Sequence, residues 1–136
     1  MDAVRNVVLR AVRETNARDY PGSVIDRLSS TLPETVASRL AEPHAYVAVV
    51  DGRVVGTARL DGDTISSVFV RPDDQGQGIG TKLMDAIESI ADVRPGRTLI
   101  LQSSITAQAF YAKRGFKVVR ESSYGEERTI HMSKDV

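Results

Sequence analysis

The chain has 136 residues, with 18 Lys plus Arg against 18 Asp plus Glu, three Phe, four Tyr, and neither Trp nor Cys. That length is one domain, residues 1–136, able to bury a core without disulfide or metal staples. The charge balance gives no net field to draw nucleic acid or a membrane surface. The sparse aromatics offer no base-stacking platform, and the absence of Cys excludes disulfides, Cys-ligated metals and a thiol nucleophile.

No window approaches the roughly 18 apolar residues of a membrane span. Asp2, Arg5, Asn6 and Arg10 stand where a signal peptide needs an apolar run, so a soluble, cytoplasmic protein is expected. Val4, Val7, Val8, Ala11 and Val12 fall on one side at helical spacing, predicting a first helix over residues 3–15. Tyr20-Pro21-Gly22-Ser23 breaks it. Ser23 is placed to cap a second helix carrying Val24, Ile25 and Leu28, and a third short helix, 33–40, opens with Pro33 in its first turn.

Residues 45–50 and 53–60 read as antiparallel strands around the tight-turn pair Asp51-Gly52. Asp61-Gly62-Asp63 then turns the chain into residues 65–90, ISSVFVRPDDQGQGIGTKLMDAIESI, around which the rest is organised. Residues 65–70 are a strand rich in β-branched and aromatic side chains, stopped by Pro72, Asp73 and Asp74. From Ile79 the apolar residues recur at Leu83, Met84, Ile87, Ile90 and Ala91, one face of a helix. A helix start leaves backbone N–H groups without partners and concentrates positive partial charge, so a glycine-lined approach to it makes an anion site.

Gly80 is followed by Thr81 and then Lys82, the wrong order for a P-loop, and Gly76, Gly78 and Gly80 are spaced two apart, unlike a dinucleotide fingerprint. Gln75-Gly76-Gln77-Gly78-Ile79-Gly80 instead resembles the pyrophosphate loop of the GCN5-related N-acetyltransferases: Gln or Arg, two residues, Gly, any residue, then Gly or Ala. The preceding Val68-Phe69-Val70-Arg71-Pro72 is similar to that family's strand and following turn.

Beyond the helix, Pro95-Gly96 marks a turn and residues 98–102 a short strand. Its apolar run predicts burial on both faces, as a parallel neighbour of strand 65–70 reached by a right-handed crossover. Ser104 can cap a helix containing Ala107, Phe110 and Tyr111, with Gly115 as its left-handed terminus. Residues 116–121 and 128–133 form a closing hairpin across Tyr124-Gly125, and its Ile130 and Met132 are candidates for a homodimer interface. Ser104, Ala107, Phe110, Tyr111, Gly115 and Phe116 resemble a second pattern of the same family, so the two motifs cover about residues 45–120.

The resemblance implies an α/β (α+β) fold: a mixed, mostly antiparallel sheet with a central splayed parallel pair and helices on both faces, its usual first strand missing or vestigial here. It implies acetyl-CoA as co-substrate, no metal, and transfer of the acetyl group to an amine. The main chain of Val68, Phe69 and Val70 would hold the pantetheine arm, and the Val70 N–H would polarise the acetyl carbonyl. Gln75, Gly76, Gln77, Gly78, Ile79, Gly80 and Thr81 would bind the pyrophosphate, and Ser104 would bond the pantetheine or serve only as a cap.

Tyr111 is the expected general acid, being protonated at neutral pH and able to protonate a thiolate. Tyr20 and Arg18 lie where the family builds an acceptor wall. The base stays open among His44, Asp61, Asp63, His131, a water held by Ser66 or Ser67, and free water. So does the acceptor: a small or amino-acid-like amine, a protein N-terminus or lysine, or none in a non-catalytic acyl-CoA-binding module.

Overall fold

A computed structural model describes residues 2–91 and 96–135. The first helix, α1 (Asp2–Arg10), buries Val4, Val7 and Val8 as its spacing predicts. It does not run regularly to residue 15. The chain widens into a π-helical turn, Ala11–Thr15, in which the Asn16 N–H donates to the Ala11 carbonyl, and then tightens into a 3₁₀ turn, Asn16–Arg18. Apolar periodicity is blind to that change, because Ala11 and Val12 are buried on either pitch.

The second helix, α2 (Gly22–Ser38), replaces two predicted ones. Pro33 sits inside it, and burial of Val24, Ile25, Pro33 and Val36 outweighs the proline's missing donor. Ser23 is not its cap: Pro21 occupies that position, and the Pro21 carbonyl accepts the N–H groups of Val24 and Ile25.

Six strands form one sheet: β1 (Ala45–Val50), β2 (Arg53–Asp61), β3 (Thr64–Val70), β4 (Thr98–Ser103), β5 (Lys117–Tyr124) and β6 (Glu127–Asp135). Their order is β1-β2-β3-β4-β6-β5, with β3 and β4 parallel and every other pair antiparallel. Among the described residues no strand precedes β1, which forms one edge. The crossover from β3 to β4 carries α3 (Ile79–Ala91); the predicted turn at Pro95 lies outside the described residues.

The helices fill two cores. Leu83, Met84 and Ile87 of α3 pack with Leu60, Ile65, Leu99 and Leu101. On the other face Val4 and Val8 of α1, Val12 of the π-helical turn and Val24 and Val36 of α2 pack with Val54 and Phe69.

Two expectations about the C-terminal half are corrected. The β4 strand alternates instead of being buried on both faces: Leu99, Leu101 and Ser103 are buried, whereas Ile100 is 46% exposed. The α1–α2 layer packs mainly on β2 and does not extend across β4. Ile130 and Met132 are 4% and 2% exposed in the α3 core, so they are not available to an interface; the exposed apolar residues of the hairpin are Val118, Val119 and Tyr124. No helix among the described residues is long and apolar enough to cross a membrane.

Candidate functional site

The sheet opens between its two parallel strands. Pairing of β3 with β4 consists of Thr64 with Ile100 and Ile65 with Leu101, and stops there. The cause lies on the other side of β3. Phe69 pairs with Thr57 but Ser66 with Arg59, so Ser67 and Val68 together oppose Ala58 in a β-bulge, which bends the strand and increases its twist. Ser67 takes a left-handed φ of 59°, and its carbonyl accepts the Thr57 hydroxyl at 2.6 Å.

Past the bulge, Val70 pairs with Gly56, and the Arg71 N–H donates to the Val55 carbonyl at 2.7 Å. In antiparallel alternation that bond marks Gly56–Val70 as a pair that exchanges no bonds of its own. The N–H and carbonyl of Val70 therefore point away from β2, into the gap that β4 has left. Gln75 Nε2 reaches the Val70 carbonyl at 3.2 Å and Thr15 Oγ1 at 2.9 Å, tying the glycine loop to the end of β3 and to the π-helical turn.

The loop itself begins with a 3₁₀ turn, Pro72–Asp74, whose Asp74 carboxylate is held by Arg71 Nε. Gly76 and Gly78 have φ of 79° and 80°, in the left-handed region where a side chain is strained. The first bond inside α3 runs from the Lys82 N–H to the Gly78 carbonyl at 3.0 Å. The N–H groups of Ile79, Gly80 and Thr81 consequently have no partner within the helix. A Cβ on Gly80 would make ordinary van der Waals contact with the Phe110 ring at 3.4 Å and Val70 Cγ2 at 3.7 Å, so the helix start lies close against both neighbours.

Those neighbours include α4 (Gln108–Lys113), which carries Tyr111. The helix ends as predicted: the Gly115 N–H donates to the Ala112 carbonyl and the Phe116 N–H to the Tyr111 carbonyl, with Gly115 at φ 95°. Ser104 Oγ accepts the Ala107 N–H at 3.1 Å, so it closes the turn ahead of the helix, whose own N-cap position is Ala107. The Tyr111 ring is wedged edge-on between Phe110 and Phe116, at centroid separations of 5.2 and 6.0 Å. Burial pushes its hydroxyl well above the ordinary tyrosine range, so it is protonated at neutral pH.

These parts surround one cavity of about 850 Å³. Val68, Phe69, Val70, Gln75, Gly76, Gly78, Ile79, Gly80, Thr81, Ser104 and Tyr111 line it; Gln77, expected beside them, does not. Tyr20 also lines it, but its hydroxyl is committed to the main chain, donating to the Arg128 carbonyl at 3.0 Å and accepting the Ile105 N–H at 2.8 Å. Arg18 is not part of the wall.

Nor are the four side chains considered as a base. Among the described residues His131 bonds Ser122, Asp63 pairs with Arg97, Asp61 lies beside Arg59, and His44 occupies a turn at φ 60°. Among the described residues the carboxylates that do line the cavity are Asp74 and Glu127, neither of them marked by a motif. Sequence reading also missed Thr15, Arg39 and Thr106 in the lining, and Thr57 as the brace of the bulge.

Residues 16–135 match the acetyltransferase (GNAT) domain family. The chain belongs to that family, the GNAT N-acetyltransferases. It is 38% identical over 93 residues to the peptidyl-lysine N-acetyltransferase YjaB of Salmonella typhimurium, a match covering 67% of this chain and 62% of that relative. The matched stretch thus spans less than two thirds of the relative's length. A GCN5-related N-acetyltransferase crystal structure from Rhodopseudomonas palustris, named aminotransferase class-II, superposes with a TM-score of 0.90 at 28% identity, over 99% of this chain and 90% of that one. The PaiA N-acetyltransferase of Thermoplasma acidophilum, solved in complex with coenzyme A, has a TM-score of 0.72 at 18% identity, covering 99% and 92%. At that identity the likeness is one of fold.

Proposed function

We propose that the protein catalyses acetyl transfer from acetyl-CoA to the primary amine of a small or amino-acid-like acceptor, by direct attack of the amine. One observation carries this reading: the N–H groups of residues 79–81 and of Val70, without partners among the described residues, and Tyr111 border a single cavity. Its residues suit acetyl-CoA. The volume lies within the usual range for small-ligand sites, the start of α3 suits a pyrophosphate, and the opened edge of β3 offers main chain to the amides of a pantetheine.

Acetyl-CoA supplies an acetyl group activated as a thioester. The N–H groups of residues 76–81 bind the phosphates, with Gln75 holding the loop against β3. The main chain of Val68 and Phe69 and the Ser104 hydroxyl position the pantetheine arm. The Val70 N–H donates to the acyl oxygen; a backbone donor is fixed before reaction and loses nothing to reorganisation when charge develops there. Tyr111 gives its proton to the departing sulfur. The amine's own proton leaves to water, since Asp74 is held by Arg71 and Glu127 by Arg27.

The similarity to a peptidyl-lysine N-acetyltransferase favours a second reading, in which the acceptor is a lysine side chain. Thiol release from acetyl-CoA, measured against amino acids, simple amines and a lysine peptide, separates the two. Release with small amines supports the first, and release with the peptide alone supports the second. Folded protein that takes up coenzyme A but releases no thiol with any acceptor would leave a binding module.

A further inference from the structure

The acceptor side of the cavity has an uneven charge pattern. Leu28, Leu32, Val36 and Arg39 lie along one stripe of α2 and its C-terminal turn, about 16 Å from end to end at 1.5 Å per residue. At the N-terminal end of the stripe Glu127 is neutralised by Arg27, whose guanidinium also stacks on the Tyr124 ring. Arg128 is paired with Glu121. At the other end Arg39 lines the cavity; its main chain is bonded within the end of α2, but its guanidinium, among the described residues, has neither a hydrogen-bond nor an ion-pair partner. Arg59, which shares a small crevice with Arg39, is held by Glu42 and offers no counter-charge.

A second observation points the same way. Ser66 Oγ is buried, borders the same cavity and has no partner. Ser66 stands opposite Arg59 in the β2–β3 register, and paired residues share a sheet face, so its hydroxyl is on the side covered by α2. A buried donor without an acceptor is costly, and a guanidinium without a counter-charge on the same cavity is matched by a carboxylate. Between Leu32 and Val36 the lining is interrupted only by Thr35, whose hydroxyl already donates to the Thr31 carbonyl.

We infer that Arg39 determines acceptor specificity: it seats a carboxylate carried by the amine, with the Ser66 hydroxyl as second donor and the apolar side chain of the acceptor against Val36 and Leu32. The preferred acceptors are then free amino acids with apolar side chains. This rests on the acetyl-transfer reading above.

The experiment compares kcat/KM by thiol release for leucine, isoleucine, valine, methionine and phenylalanine, for their carboxamides, and for a lysine peptide blocked at both ends. In the wild-type protein the best free acid exceeds its amide by about tenfold or more, mainly through KM, as expected for a charge-assisted hydrogen bond. Arg39→Ala removes that preference by raising KM for the acids. Arg39→Lys restores part of it, keeping the charge but not the fork. Arg39 is exposed, so melting temperature serves as the folding control for both variants.

Equal turnover of acids and amides, preference for the peptide, or a preference that survives Arg39→Ala would each overturn the assignment while leaving acetyl transfer standing. Absence of thiol release with every acceptor would remove both.

Discussion

The two walls of the cavity differ in what carries their polar groups. On the side of α3, the groups are main-chain: the N–H groups of Ile79, Gly80 and Thr81 and the open edge of β3 at Val70. On the side of α2 they are side chains, Arg39, Ser66, Glu127 and the hydroxyl of Tyr20, brought together from distant parts of the chain. A wall of main chain depends on backbone conformation and tolerates few residue types. A wall of side chains is set by tertiary packing and leaves each position free to vary with the acceptor.

Substitutions can break that contrast, and Gly78→Val should do most. At φ 80° a β-branched residue strains the loop by up to about 3 kcal/mol, so coenzyme A affinity should fall roughly 100-fold by calorimetry. Unchanged affinity would mean that loop conformation does not matter to the ligand. Tyr20→Phe tests the other wall. It leaves the Ile105 N–H and the Arg128 carbonyl without their partner, and urea unfolding should show a loss of about 2 kcal/mol. The loop from α1 to α2 would loosen with it, raising KM for the amine more than for acetyl-CoA.

Tyr111→Phe sharpens the comparison at the point where the walls meet. Turnover should drop at least tenfold, about 1.4 kcal/mol, with coenzyme A affinity nearly intact. Equal loss of both would make the ring a packing element only. The smallest effect concerns pH. Burial holds the hydroxyls of Tyr20 and Tyr111 above their ordinary value in the folded protein. Their contribution to stability is therefore complete below about pH 10 and declines as pH rises through the folded values. Alkaline melting curves should show that decline in the wild type and less of it in Tyr111→Phe.

The same contrast explains what the sequence discloses. The glycine loop and the Gly115 terminus are short-range devices, each written within a few neighbouring residues, and both are found where expected. The splay is not local: it depends on Thr57 bracing Ser67 across the β2–β3 pair. Pro33 reads as a helix start, yet burial carries α2 through it. The apolar run of β4 reads as doubly buried, but how far the helical layer extends is not encoded in the strand. Residue type favours His44, Asp61, Asp63 and His131 as a base, yet none of them lines the cavity among the described residues, while Glu127 follows an unremarkable turn.

With parallel bonding confined to Thr64–Ile100 and Ile65–Leu101, the sheet is two wings sharing a short seam. One wing is β1-β2-β3 and the other β4-β6-β5. Tyr20 is a stitch across the seam: it belongs to the helical layer resting on the first wing and fastens to the second at Ile105 and Arg128. A molecule lodged between the wings would take the place of absent rungs, so occupancy of this site and rigidity of the whole sheet are mechanically coupled.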